Sequence, residues 1–364
     1  MNDKNIIFHV EGGIGKNIMA TAVAAAIKKK YPDRDIITIG SWPAVWFNNP
    51  NVERFYQLGN TPYIFEDYIR EKDTLIFKQE PYHHHGYINK KVHCIQAWCE
   101  LLGVDYNGEK PEIYLTHSES EQARMQFGSS DKPVFLIQTN GGGMSPDQRP
   151  SPMSWVRDAP LPTVLKMIEP FMEGYNVVQI RTEHQPGFQN MSWISSPNVR
   201  EIIAMIKWSS KRLFIDSFAQ HAAMALDKKS TILWPMDNVK ALGYEHFHDN
   251  IVSNVTLKKT HLIDSYLGDL DISGQPHMCP FKDDNIFDIE KVVKSLKRQK
   301  DTKFPESLMS MAPPPQGGQQ QQQQQNAPCP AHPHSHDQGM APQPQFVQPQ
   351  QAPVQQQPEI SVAK

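Results

Sequence analysis

Hydrophobic and polar positions along this chain switch between two periods. Residues 6–10 form a short, partly β-branched apolar run, and Gly12, Gly13 and Gly15 break it. Residues 18–30 are Ala-rich and carry their lysines at the C-terminal end, as the dipole of a helix favours. Tyr31-Pro32-Asp33 stops that helix, and residues 35–40 read as the next strand. Strand, helix and strand at this spacing predict a βαβ unit and therefore a parallel sheet. Apolar runs at 52–56 and 74–77 continue the alternation, residues 93–102 have an amphipathic helical pattern, and residues 112–115 after Gly108 and Pro111 read as a closing strand.

A second series starts at residues 133–138 and runs into Thr139-Asn140-Gly141-Gly142-Gly143. It predicts helices near 161–172, 199–208 and 219–226 and strands at 176–180, 212–215 and 230–234. The repeated alternation gives an α/β fold of two Rossmann-like domains facing across a cleft. Their expected extents are residues 1–120 and 133–285, with 121–132 as linker and 286–310 as a terminal helical segment. From residue 311 the chain turns to Pro and Gln, including an unbroken Gln run at 319–325; it offers too little apolar surface to offset ordering entropy, so a disordered tail is expected. Such a tail is open to partner proteins, and its His332, His334 and His336 could catch a metal only adventitiously.

With 36 basic against 39 acidic side chains there is no global basic field, which argues against nucleic acid as a partner. Four cysteines, Cys94, Cys99, Cys279 and Cys329, are too few and scattered for a disulfide framework, so reduced thiols and a cytoplasmic location are expected. No apolar run approaches the roughly 20 residues of a membrane span, leaving at most peripheral membrane contact. His83-His84-His85, His93, Cys94 and Cys99 invite a metal reading. Consecutive side chains diverge on regular backbone, however, and the stretch reads as a polar acceptor-side loop with no metal.

Three stretches carry candidate chemistry. In Glu11-Gly12-Gly13-Ile14-Gly15-Lys16-Asn17, glycines between a strand and a helix permit close approach of an anion to backbone N–H groups; a plain tight turn is the alternative. A P-loop reading lacks its Mg²⁺-binding hydroxyl, since Asn17 stands there, and its first glycine, since Val10 stands there. At the end of a strand, Asp216-Ser217 can cap the helix that carries Gln220 and His221, either as an ordinary cap or as an anion site. Thr139, Asn140 and Gly141 would face the cleft at the carboxyl end of a parallel strand, and Arg157 and Arg181 are the cations expected to approach a diphosphate unless surface ion pairs hold them.

The run 214–226, with Asp216, Ser217, His221, Ala222 and Leu226, resembles the Asp-Ser/Thr-Gly-x-x-His-x-Ala-Ala-Ala-Leu signature of family 9 glycosyltransferases, which include the ADP-heptose:lipopolysaccharide heptosyltransferases. The glycine loop followed by Tyr31-Pro32-Asp33-Arg34-Asp35-Ile36 is similar to the start of the same family, and the likeness spans about residues 5–300. It implies a GT-B, metal-independent, inverting transferase without a cofactor, moving a heptose-like or other hexose from a nucleoside-diphosphate sugar to a glycan or lipid-linked acceptor. Thr139, Asn140, Gly141, Arg157, Arg181, Asp216, Ser217, Gln220 and His221 would hold the donor, and Gly12, Gly13 and Asn17 the acceptor. Phe218 replaces the signature glycine, and Lys16 stands where the family carries its catalytic Asp. An ammonium cannot accept a proton, so Glu11 is the nearest carboxylate for that role. The alternatives are a nucleotide-sugar or glycan-binding protein without turnover, and a deviant P-loop ATPase.

Overall fold

A computed structural model describes residues 3–128, 130–141, 154–195, 198–256, 279–282 and 284–303. In the N-terminal half the elements run β1 (Lys4–Val10), α1 (Ile14–Lys30), β2 (Asp35–Gly40), β3 (Arg54–Gln57), α2 (Ile64–Tyr68), β4 (Asp73–Phe77), α3 (His85–Ile88), α4 (Cys94–Leu101) and α5 (His117–Gly128). The C-terminal half follows with β5 (Val134–Ile137), α6 (Leu161–Ile168), β6 (Asn176–Ile180), β7 (Ser192–Ile194), α7 (Val199–Trp208), β8 (Lys211–Ile215), α8 (Phe218–Ala225), β9 (Thr231–Trp234), α9 (Val239–Leu242), β10 (Asp249–Val252) and α10 (Ile289–Arg298). The strands form two sheets, β3-β2-β1-β4 and β10-β9-β8-β5-β6-β7, parallel throughout. The α/β alternation seen in the sequence is therefore realised as two parallel sheets with covering helices. The expected disordered tail, with its three histidines, and Gly142 and Gly143 lie outside the described residues.

Strands buried on both faces read as unbroken apolar runs, and β1, β5 and β8 behave so: Ile6, Phe8, Phe135, Leu136, Phe214 and Ile215 are fully buried. One apolar core fills the space between α6, α10 and one face of the second sheet. The larger core is continuous across both halves. It runs from Ile6, Phe8 and α1 through Trp46 and Trp98 to α7 and α8, where Ala219, Ala222 and Ala223 let α8 pack against α1.

One segment differs from the sequence reading. Residues 112–115, read from the sequence as a closing strand, join no ladder. Their backbone groups are taken by side chains instead, the Glu112 N–H donating to Thr21 Oγ1 at 2.8 Å and the Tyr114 carbonyl accepting from Arg200 Nη2 at 2.7 Å. The polar stretch after Thr116, which its sequence leaves open as a linker or an interdomain helix, is mostly helical, as α5, which packs on α7. Short elements without a clear period, α2, α3, α9, β7 and β10, left no signal strong enough to place them.

Candidate functional site

Helix α1 starts after Gly12, whose φ of 99° is open to glycine and strained for other residues. Its cap, Gly13, has no side chain to offer, and the first turn holds no acidic residue. Asn17 turns inward and donates Nδ2–H to the carbonyls of Gly12 at 3.3 Å and Gly13 at 3.1 Å, so it holds the loop and stays off the cavity lining. Helix α8 starts behind Ser217 with no side-chain cap, and again without an acidic first-turn residue. Of the two readings of Asp216-Ser217, the side-chain cap by Ser217 does not form, and Asp216 Oδ1 accepts from Gln220 Nε2 at 2.9 Å. Both helices thus present the first-turn N–H groups and positive dipole ends that an intact cap would have covered.

These two ends meet. A Cβ on Gly15 would lie 2.9 Å from His221 Cδ2 and 3.5 Å from Phe218 Cα. They border a cavity of about 580 Å³ between the two sheets, lined by Gly13, Lys16, Asn140, Gly141, Arg157, Arg181, Asp216, Ser217 and His221 among others. The carboxyl ends of parallel strands are where such folds bind ligands, and this volume is in the usual range for a small-molecule site.

Other expected donor residues serve the framework. Thr139 is buried off the lining, donating to Asn140 Oδ1 and accepting from Gln179 Nε2, both at 2.8 Å. Gln220 is fully buried behind Asp216. Asn140 and Gly141 reach the cavity because Asp158, which the sequence did not single out, accepts from Gly141 N–H at 2.8 Å and Asn140 Nδ2 at 3.2 Å. Burial raises the pKa of that carboxyl. Arg181 lines the cavity with its guanidinium carbon 4.3 Å from the Trp193 ring centroid, while Nη1 donates to the carbonyls of Thr182, Glu183 and Gln185.

On the N-terminal side Lys16 is folded back and buried, with Nζ 2.5 Å from Glu80 Oε2 and about 5 Å from the Tyr82 and Trp98 ring centroids. Glu11 is outside the lining. Its carboxylate faces solvent, 3.4 Å from Lys78 Nζ and 3.5 Å from His9 Nδ1. Glu80, just past the C-terminal end of β4, was missed; its place after an apolar strand was the available signal. Trp42 and Tyr82 add aromatic faces to this side of the cavity.

The histidine-rich stretch does not fit a metal centre. His84 Nδ1 accepts from Gly86 N–H at 3.1 Å, His93 Nδ1 accepts from Ile95 N–H at 3.2 Å, and His85 contacts Asn89. Among the described residues no group of three or more His, Cys, Asp or Glu could hold a metal ion, and no helix is long and apolar enough to cross a membrane.

No protein-family model and no curated protein sequence matches the chain. Among solved structures it is similar to a family 9 glycosyl transferase from Veillonella parvula, at 14% identity and a TM-score of 0.54, over 82% of this chain and 97% of that one. The fold is that of a family 9 glycosyltransferase. A second similar structure is the dodecameric iron-containing heptosyltransferase TibC of enterotoxigenic E. coli in complex with ADP-D-beta-D-heptose, at 12% identity and a TM-score of 0.51, covering 81% of this chain and 73% of that one. On this GT-B-like frame the glycine loop and the Asp216 turn occupy facing walls of one cavity.

Proposed function

We propose that this chain is a glycosyltransferase that takes a sugar from a nucleoside-diphosphate donor and passes it to an acceptor hydroxyl entering past α1. The observation that carries the reading is the meeting of two uncapped helix N-termini in a cavity that also holds Arg157 and Arg181. Backbone N–H groups, dipole ends and guanidinium groups together suit a diphosphate, the leaving group of such a reaction. In the displacement the acceptor oxygen bonds the anomeric carbon and the carbon–phosphate-oxygen bond breaks, with its electron pair going to the diphosphate. The helix ends and arginines stabilise the charge that gathers there. Asp216, on the same wall, suits the hydroxyls of the transferred sugar as an acceptor of their hydrogen bonds.

Proton removal from the acceptor needs a carboxylate on the N-terminal side. Glu80, held 2.5 Å from cavity-lining Lys16, is our candidate in place of Glu11. Heptose or another hexose as the sugar, a glycan or lipid-linked sugar as the acceptor, and inversion at the anomeric carbon belong to the same proposal. The Lys16–Glu80 pair also favours a second reading, binding without transfer, because the carboxylate is tied to an ammonium.

Release of nucleoside diphosphate from a panel of sugar nucleotides separates the two. The transferase reading predicts release from at least one donor, and a loss of about a hundredfold in kcat for Glu80→Gln, as expected when a general base is removed. Saturable binding without release supports the second reading, and absence of both contradicts each.

A further inference from the structure

His221 is among the residues lining the cavity and is otherwise buried. Its Nδ1 lies 2.8 Å from the hydroxyl of Tyr244, with the two rings edge to face at 85°. The opposite edge, Cδ2 and Nε2, points at the start of α1, at 2.9 and 3.4 Å from the position a Cβ would take on Gly15. Nε2 therefore sits where the N-termini of α1 and α8 come together, and Tyr244 lies behind it on the protein side.

A hydroxyl has one proton to place. Among the described residues His221 Nδ1 is the only hydrogen-bond partner of the Tyr244 hydroxyl. Were Nδ1 protonated, the hydroxyl proton would have no acceptor, and a buried donor left unpaired is destabilising. With the hydroxyl donating to Nδ1, the single ring proton of a neutral imidazole goes to Nε2.

Resting on the diphosphate reading, we propose that Tyr244 is a positioning residue: it fixes His221 as the Nε2–H tautomer, which makes this neutral ring a further donor to the anion held between the two helix ends. The surroundings agree with an uncharged ring. Burial pushes His221 down to about 3 and holds the Tyr244 hydroxyl well above its ordinary range. The other titratable groups facing this pair are Cys94 and Tyr106 beside the Tyr244 ring, and His93 and His248, both lowered to about 4 by burial and packed 5.3 and 5.7 Å from it, with Asp216 on the same turn and Lys16 on α1.

Long-range ¹H–¹⁵N spectra of the histidine-labelled full chain test the tautomer directly, with His221→Gln used to assign the signal. The expected spectrum has an unprotonated Nδ1 and a protonated Nε2 for His221. Calorimetry with inorganic pyrophosphate then reads the consequence: Tyr244→Phe, at an unfolding temperature within a few degrees of the parent, is expected to bind it about tenfold more weakly, the loss of one hydrogen bond to a charged group. A protonated Nδ1 in the parent chain, or unchanged pyrophosphate affinity in Tyr244→Phe, overturns the proposal. If that variant does not fold, the parent spectrum decides alone. Nucleotide release from a donor alongside a protonated Nδ1 removes this inference and leaves the transferase reading standing, whereas a chain that neither binds pyrophosphate nor releases nucleotide loses both.

Discussion

At position 15 a single hydrogen separates α1 from the His221 ring. The ring cannot swing away easily, because Tyr244 holds its far side. Gly15→Ala is expected to push His221 out of line and weaken donor binding by about tenfold with little change in stability, since the crowding falls on one side chain at the cavity rim; binding isotherms and thermal unfolding of the two chains check this. Similar crowding holds Arg181, whose Nε would lie 2.5 Å from a Cβ on Gly187, so Gly187→Ala should displace the guanidinium from Trp193 and lower donor affinity in the same assay. Single residues were legible where chemistry and position coincided. Asp216, Ser217, His221, Asn140, Gly141, Arg157 and Arg181 reach the cavity because a strand end or an adjoining loop carries them there. Thr139, Gln220 and Asn17 have the same polar character but spend it on neighbouring backbone and side chains, and no local pattern distinguishes a polar group facing a ligand from one facing its own loop.

Between elements, the contact that the sequence hid most completely is Arg200, second residue of α7 and almost fully buried. Its guanidinium pairs with Glu119 of α5 and donates to the carbonyls of Ala44 at 2.9 Å and Tyr114 at 2.7 Å, tying the C-terminal half to three separate pieces of the N-terminal half. An arginine early in a helix reads as solvated surface, and only the packing of α7 against α5 makes it interior. Arg200→Met keeps the bulk and removes the donors. It should destabilise the chain by about 3 kcal/mol, since the partner carboxylate and two carbonyls lose their ligand, and chemical denaturation measures it. Val199 and Ile202 on the same helix line the cavity, so donor affinity should fall with stability. The strand reading of residues 112–115 misled for a related reason: a short apolar stretch after a turn suits a strand, while a ladder also needs a neighbouring edge, and here Thr21 and Arg200 take the backbone groups first.

The chain as a unit should be sensitive to acid in two windows. His93, His221 and His248 are held at about 4, 3 and 4 in the folded state, mainly by burial, against an unfolded value near 6.5. A depressed folded pKa means the unfolded chain binds protons first as pH falls. The stability contributed by these neutral rings is therefore complete above about 6.5 and declines below it, by up to about 1.4 kcal/mol per pH unit for each ring until its folded pKa is reached. Glu119, lowered to about 2 chiefly by its hydrogen bond to Arg200, adds a second loss below about 4.5. Denaturant midpoints measured from pH 7.5 to 4.5 should fall most steeply below 6.5, and a flat profile across that range would contradict the burial of the three rings. The parallel α/β layout was legible because helical and strand periods alternate in order through both halves; the continuous core joining them was not, because small residues such as Ala219, Ala222 and Ala223 mark a close helix contact without naming its partner. That contact brings the two helix ends together, and the functional account stands on it. The most direct test is a crystal structure with a nucleoside diphosphate bound. The account predicts its phosphates within hydrogen-bond reach of backbone N–H groups at both Ile14–Gly15 and Phe218–Ala219, with Arg157 or Arg181 alongside; a nucleotide bound elsewhere, or touching only one of the two helix ends, would contradict it.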